Sequence, residues 1–329
     1  MSDNARREQH PTTPLPKTSY QTPTKTLAAL VCAFAVILAF SSTFRSLFFA
    51  RSSLVGKEGA RAMSSTAVPT SMKITKRPWS QRGHADHDWL YTYHTFSFAS
   101  YFDPKHESWG PLRVINEDRV KAGTGFGTHS HAEFLIFSYI VNGVLEHRDS
   151  MGNLENLKRG EVQFTSAGTG IRHSEYNRNM DSEVHFLQIW AKPNKRGLKP
   201  HYETKKFTDE EKTDKLVRIM ESTDRLAENK GAIGLQADLS MDACILSKGK
   251  SVVHDVVAEG PRKLFAHVVM GGRAQPKQGG AQIKIGEMVL GEGDGAFIEG
   301  VKGGEKVQVE SVGDKPAEFL LFDLGMNDA

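Results

Sequence analysis

The apolar positions of this chain fall into short runs broken by turn residues, not into long stretches with a helical period. Phe134-Leu-Ile-Phe-Ser-Tyr-Ile-Val141 is apolar, aromatic and β-branched, and Asn142-Gly143 closes it with the dipeptide that best tolerates the left-handed dihedrals of a hairpin turn. Asp149-Ser-Met-Gly152 and Lys158-Arg-Gly160 punctuate the strands that follow. Val184 to Trp190 alternates, which predicts Phe186 and Gln188 on one face of a strand and Leu187 and Ile189 on the other. Together these segments predict a β-meander forming a small barrel. Pro193, Asn194, Gly197 and Pro200 then break regular structure, and Thr208-Asp-Glu-Glu211 has the spacing of a helix capping box. Strand-like runs return at 216–220, 242–246, 264–270, 281–285 and 319–324, separated by Gly271-Gly272, Gly279-Gly280 and Gly303-Gly304, so a second barrel is expected from about Gly231 onward.

The N-terminal 72 residues share none of this pattern. Residues 1–26 are rich in Pro, Thr, Gln and charge, and are expected to be disordered. Leu27 to Phe40 is unbroken apolar sequence and the uncharged stretch runs on to Phe44, 18 residues in all, against the roughly 20 that a spanning helix needs. Residues 27–44 are therefore a candidate membrane contact. The following segment carries Arg45, Arg51, Lys57 and Arg61 among Ser and Ala with only Glu58 acidic, a composition similar to a mitochondrial presequence. Membrane anchoring or mitochondrial targeting follows if this extension is translated; a start at Met63 or Met72 would leave a cytoplasmic or nuclear protein.

Composition supports the β reading and narrows the partners. A length of 329 residues suits about two domains, and 30 glycines exceed the roughly 23 of average usage, as many tight turns require. Net charge is +3, but residues 1–72 alone hold eight basic and three acidic side chains, leaving −2 for the rest. No basic nucleic-acid footprint belongs to the folded part. Cys32 and Cys244 lie in unrelated regions, which excludes a disulfide framework or a cysteine metal cluster.

The candidate chemistry lies in two short pairs, His129 and His131 in Gly127-Thr-His-Ser-His131, and His173 and Glu175 in Gly170-Ile-Arg-His-Ser-Glu175. Side chains two apart on a strand share a face, so each pair can aim both groups into one cavity, and two such strands facing each other would complete a site of three His and one carboxylate. Neutral imidazoles with one carboxylate oxygen and open positions favour a redox-capable octahedral ion over closed structural zinc. One divalent ion is expected, Fe(II) first, with Ni, Cu, Mn or Zn as alternatives.

Arg82-Gly-His-Ala-Asp-His-Asp-Trp89, His94-Thr-Phe-Ser-Phe98, Leu112-Arg-Val-Ile-Asn116, Gly125-Phe-Gly-Thr-His129, Glu146-His-Arg-Asp-Ser-Met-Gly152 and Thr165 to Asn177 stand in one order that resembles the signature runs of the pirin family, closest to its quercetinase-like bacterial and fungal members. The resemblance implies an all-β bicupin: two tandem cupin barrels of the RmlC-like jelly-roll type, behind a targeting or membrane-anchor extension. The domains are then 1–72, 73–200 with the metal, a connection at 201–230, and 231–329 without metal. His129, His131, His173 and Glu175 match the family's ligands. The implied activity is an oxidoreductase of the quercetin 2,3-dioxygenase type. The metal acts as a Lewis acid on a flavonol or related phenolic, Glu175 takes the hydroxyl proton, and O2 opens the ring with loss of carbon monoxide. The alternative is a non-enzymatic, redox-responsive transcriptional coregulator that binds protein partners.

The usual glutamate four residues after the second cupin His is Leu135 here, a departure that touches the surroundings of the metal and not its ligands; Glu133 is either a substitute or a rim carboxylate in water. His84 and His87 are expected to hydrogen-bond within the arm before the first barrel, His94 and Phe126 to line the pocket, and Arg77, Arg82 and Arg113 to be surface charge. His147 is assigned no chemistry, and the isolated His254 and His267 are expected to be satisfied polar residues, not ligands.

The extension generates the first prediction. Fractionation of cells expressing the tagged full chain is expected to give a carbonate-resistant membrane signal or a shortened mitochondrial product; full-length soluble protein would exclude both.

Overall fold

The computed structural model describes residues 72–273 and 280–327. The candidate span at 27–44 and the presequence-like segment lie outside the described residues, and none of the described helices is long and apolar enough to cross a membrane. The chain up to residue 206 supplies β1 (Lys73–Arg77), β2 (Gly83–Asp86), β3 (Leu90–His94), β4 (Leu112–Val120), β5 (Gly125–His131), β6 (Leu135–Asn142), β7 (Val144–Asp149), β8 (Leu154–Lys158), β9 (Glu161–Ser166), β10 (Ile171–Tyr176), β11 (Val184–Ala191) and β12 (His201–Lys206). After the short helix α1 (Asp209–Lys212) come β13 (Val217–Ser222), β14 (Ile233–Leu235), β15 (Leu239–Leu246), β16 (Ser251–Asp255), β17 (Pro261–Val268), β18 (Gln282–Ile285), β19 (Met288–Gly291), β20 (Gly295–Lys302), β21 (Lys306–Ser311) and β22 (Ala317–Leu324). Thr208 caps α1 and Glu211 closes the capping box, as its spacing predicts.

The strands build two cupin-like β-sheet domains, each with a seven-stranded and a four-stranded sheet. In the first, β12-β9-β6-β11-β4-β3-β2 lies with β5-β10-β7-β8; in the second, β1-β20-β17-β22-β15-β13-β14 lies with β16-β21-β18-β19. Two strands sit on the other side of the boundaries drawn from sequence. β1, at the start of the segment assigned to the first domain, pairs with β20 from Lys73↔Glu299 to Arg77↔Gly295, and β13, inside the stretch read as a connection, pairs with β15. Pairing with β1 covers backbone that would otherwise be the open edge of the second domain's large sheet.

Asn142-Gly143 also acts differently from a hairpin turn. β6 is already flanked by β9 and β11, so the turn carries the chain from the large sheet into the small one, where β7 pairs with β10 and β8. Gly143 has φ +84°, and a Cβ there would stand 2.8 Å from the Glu183 carbonyl oxygen, so both backbone and space demand glycine.

The two large sheets share one apolar core. Phe137, Tyr139, Leu187 and Ile189 of the first domain are clustered with Met241, Phe265, Leu320 and Phe322 of the second. On its other face the first large sheet packs Ile140 and Phe186 on Leu145 and Leu157 of the small sheet, and the second packs Leu264, Phe319 and Leu321 on Ile283, Val307 and Val309. The alternation in β11 thus sends Leu187 and Ile189 to the interdomain core and Phe186 inward. Each such side chain contributes roughly 1.5–3 kcal/mol of transfer free energy.

Double-sided burial overturns the reading of the arginines as surface charge. Arg77 and Arg82 are only 2% and 5% exposed. Arg82 donates to the Glu117 carboxylate at 3.0 Å, to Gly293 O at 3.1 Å and to Tyr93 O at 3.0 Å. Glu117 also accepts from Met270 N at 2.7 Å and faces His267 Nε2 at 3.1 Å and His185 Nε2 at 3.2 Å. Arg77 reaches the Thr95 carbonyl and the Tyr101 hydroxyl, and Arg113 donates to Ser97 O. Arg82 is thus ion-paired inside the protein, Arg77 is buried on neutral oxygens, and Arg113 is half-buried and tied to a carbonyl. His84 accordingly serves the arm, bonding Thr92 O through Nδ1 and stacking on Tyr93.

In the second domain His254 is buried between Asp242 (3.1 Å from Nδ1) and Asp323 (3.2 Å from Nε2), with Arg218 bonded to Asp242 and Arg262 to Asp323. Burial alone would lower its pKa, but hydrogen bonds and charge from the two aspartates outweigh burial and raise it to about 9. A raised histidine pKa stabilises the fold fully below the unfolded value near 6.5, and the contribution, at most roughly 3 kcal/mol, disappears as pH climbs through about 9. The melting temperature of the wild type is therefore expected to fall more steeply between pH 6.5 and 9.5 than that of His254→Gln. Parallel curves would remove this cluster from the pH response.

Candidate metal centre

The two histidine-bearing strands do not face each other across a cavity but are neighbours in one sheet. β5 and β10 pair antiparallel with His129 opposite His173 and His131 opposite Ile171, and the register shifts between His173 and Glu175. The close approach depends on Gly125: a Cβ there would stand 2.3 Å from the Glu175 carbonyl oxygen. This brings together three imidazoles whose donor nitrogens lie within 4.8 Å of one another, with ring centroids 4.5–4.8 Å apart and planes steeply inclined.

Hydrogen bonding orients the first of them. His129 Nδ1 donates to Gly127 O at 2.8 Å, which leaves Nε2 as the lone-pair nitrogen, and that atom stands 3.0 Å from His173 Nε2. Two donors held at about 2.1 Å from one ion and at right angles stand about 3.0 Å apart, so this separation fits cis ligands of one cation. His131 and His173 both have pKa values pushed down to about 3, first by burial and then by the neighbouring imidazoles, so both are neutral at physiological pH, the form that binds metal. The Nδ1 atom of His173 is buried without a hydrogen-bond partner among the described residues.

Glu175 is buried beside this group. Its carboxylate accepts from Gln188 Nε2 at 3.1 and 3.0 Å and from Ser138 Oγ at 3.3 Å. Its donor atom falls into a second set with His147 and His173, within 4.8 Å of one another, so the two sets share His173. The donor types and spacing fit a divalent ion.

The remaining sequence candidates are distributed as follows. Leu135 points into the interdomain core, so the missing cupin glutamate takes nothing from the donor set. Glu133 occupies a left-handed turn at φ +59° and accepts from Gly197 N, so it is neither a substitute ligand nor a carboxylate touching only water. His94 is buried with Nδ1 2.8 Å from Asn116 Oδ1, its pKa lowered to about 4 chiefly by burial. Phe126 packs edge-on against Trp89. His267 is taken by Glu117 and His254 by two aspartates.

Sequence reasoning missed Ser138, Gln188, His147 and Trp190. Gln188 left a signal, as the polar residue of a run otherwise suited to burial. Trp190 stands edge-on to His131 at 4.8 Å and contacts Phe134 and Phe98, an aromatic wall beside the imidazoles. Nothing in the spacing of Ser138, His147 and Trp190 connects them.

Residues 75–191 match the family model described as Pirin. The "Quercetin 2,3-dioxygenase" of Escherichia coli K12 is 38% identical over 251 residues, covering 76% of this chain and 98% of that protein. A "Putative quercetin 2,3-dioxygenase" of Zymomonas mobilis is 44% identical over 176 residues, 54% of this chain and 73% of the relative. The crystal structure of the bacterial pirin YhhW from E. coli in complex with nickel(II) superimposes with a TM-score of 0.66 at 36% identity, covering 77% of this chain and 99% of that one. This homology to quercetin 2,3-dioxygenases supports an enzymatic, dioxygenase-like function with a divalent metal cofactor. The chain belongs to the pirin family.

Proposed function

We propose that the protein holds one divalent ion on His129, His131, His173 and Glu175 and opens a flavonol or related phenolic ring with O2, as a quercetin 2,3-dioxygenase-type oxidoreductase. The observation that carries the reading is the convergence of three imidazoles beside one buried carboxylate in a chain 38% identical to an E. coli quercetin 2,3-dioxygenase. Fe(II) is the proposed ion on the chemistry of the donors, and nickel(II), held by the E. coli relative, is the first alternative. Each domain is read as a jelly-roll barrel, with the metal confined to the first.

When bound, the ion supplies Lewis-acid stabilisation of the substrate's phenolate charge. The rest falls to the chain's own groups. His131 and His173, neutral at physiological pH, need lose no proton to act as donors. Glu175 offers the anionic oxygen of the donor set and takes the substrate hydroxyl proton onto its carboxylate, while Gln188 and Ser138 hold that carboxylate in orientation. Trp190, Phe134 and Phe98 give a planar aromatic substrate an apolar wall next to His131 and keep water from that side.

Metal analysis of the purified protein, coupled to oxygen uptake with a panel of flavonols and catechols, tests the reading. His131→Ala is expected to lower metal occupancy at least ~10-fold with an unchanged circular dichroism spectrum, because the fold rests on its apolar cores. Full occupancy in that variant would take His131 out of the site. Glu175→Gln keeps shape and an oxygen but loses basicity, so turnover is expected to fall by ~10² to 10⁴ while metal content falls less. Equal turnover at equal metal content would exclude Glu175 as the base. A wild type that carries Fe(II) and consumes no oxygen with any phenolic would turn the reading to the protein-binding coregulator.

A further inference from the structure

His147 is a buried imidazole beside the three-histidine group. β7 flanks β10 on the side away from β5, and the register sets His147 directly opposite Glu175 and Asp149 opposite His173. The side chain of His147 is 0% exposed, and neither ring nitrogen has a hydrogen-bond partner among the described residues. The Asp149 carboxylate is 3.7 Å from its Nε2 and is already engaged by Met151 N, Asn153 N and Asn153 Nδ2. The ring stacks on Tyr202 at 5.0 Å and meets His173 edge-on at 5.1 Å. Its donor atom lies within 4.8 Å of those of His173 and Glu175.

Packing alone does not account for this residue. A buried polar atom without a partner is costly, and a phenylalanine would keep the stack on Tyr202 without that cost. A ligating carboxylate, for its part, needs a hydrogen-bond donor to hold its direction, and among the described residues Glu175 has Gln188 and Ser138 from the large sheet but no donor from its own sheet. We infer that His147 is a positioning residue of the metal centre, an imidazole set directly opposite Glu175 so that it can hydrogen-bond that carboxylate when it serves as a ligand. The inference rests on the proposed four-ligand site and adds a fifth side chain that acts through Glu175.

The test separates hydrogen bonding from packing. The full chain, stripped by a chelator, is titrated with nickel(II) against a chromophoric competitor, and the melting temperature of the metal-free form is measured alongside. His147→Phe, which keeps a ring against Tyr202, is expected to weaken nickel binding ~10- to 100-fold while the metal-free melting temperature stays equal or rises. His147→Gln, which restores a donor, is expected to recover part of the affinity. Nickel binding of His147→Phe as tight as wild type would overturn the inference. So would weaker binding accompanied by a lower metal-free melting temperature with no recovery in His147→Gln, since that pattern marks a packing role. A wild type that binds no nickel(II) would overturn the four-ligand site itself, and this inference with it.

Discussion

Burial of both faces of the large sheets is the constraint on which the rest of this structure depends. Stacking the two seven-stranded sheets around Phe137, Leu187, Phe265 and Phe322 removes from water the face that a single two-sheet domain would leave solvated. Every polar side chain on those strands must then find a partner inside the protein or pay its desolvation cost.

β4 and β11 show the two outcomes. Glu117 points between the domains, where Arg82, His267 and the Met270 amide satisfy it, so the charge that burial would penalise joins the two domains instead. The hydrogen bonds and positive charge around that carboxylate outweigh desolvation and hold its pKa well below the usual range. Gln188 points the other way and finds Glu175. For the neighbouring carboxyl the balance is opposite: burial raises the pKa of Asp118 to about 7, with Glu175 and Glu117 adding to the shift and outweighing the pull of Thr92 and Arg82. The interior behind the imidazoles is therefore polar, whereas the second domain sets its interior His254 between two aspartates.

The small sheet answers a different requirement. His129 and His131 lie on β5, at its edge, and are only partly buried, while His173 and Glu175 lie on the next strand inward and are buried. This gradient leaves one side of the donor set open to an incoming molecule and backs the other with protein, as a site that binds both a metal and a substrate requires.

The chain order of apolar runs determined by itself that the protein is β-rich, that β11 has two distinct faces, that Thr208 caps a helix, and that His129, His131, His173 and Glu175 are the candidate donors. These features are local: they follow from a two-residue period, a capping pair and i, i+2 spacing. What tertiary structure alone decided is everything that depends on which strand lies beside which. Asn142-Gly143 reads as a hairpin until β9 and β11 are seen to occupy both sides of β6. Lys73–Arg77 reads as the start of the first domain until it pairs with β20, and Arg77 and Arg82 read as surface charge until the neighbouring elements cover them. His147 and Gln188 came to the site for the same reason: β7 pairs with β10 in the small sheet and β11 belongs to the large one, so residues far apart along the chain meet at Glu175.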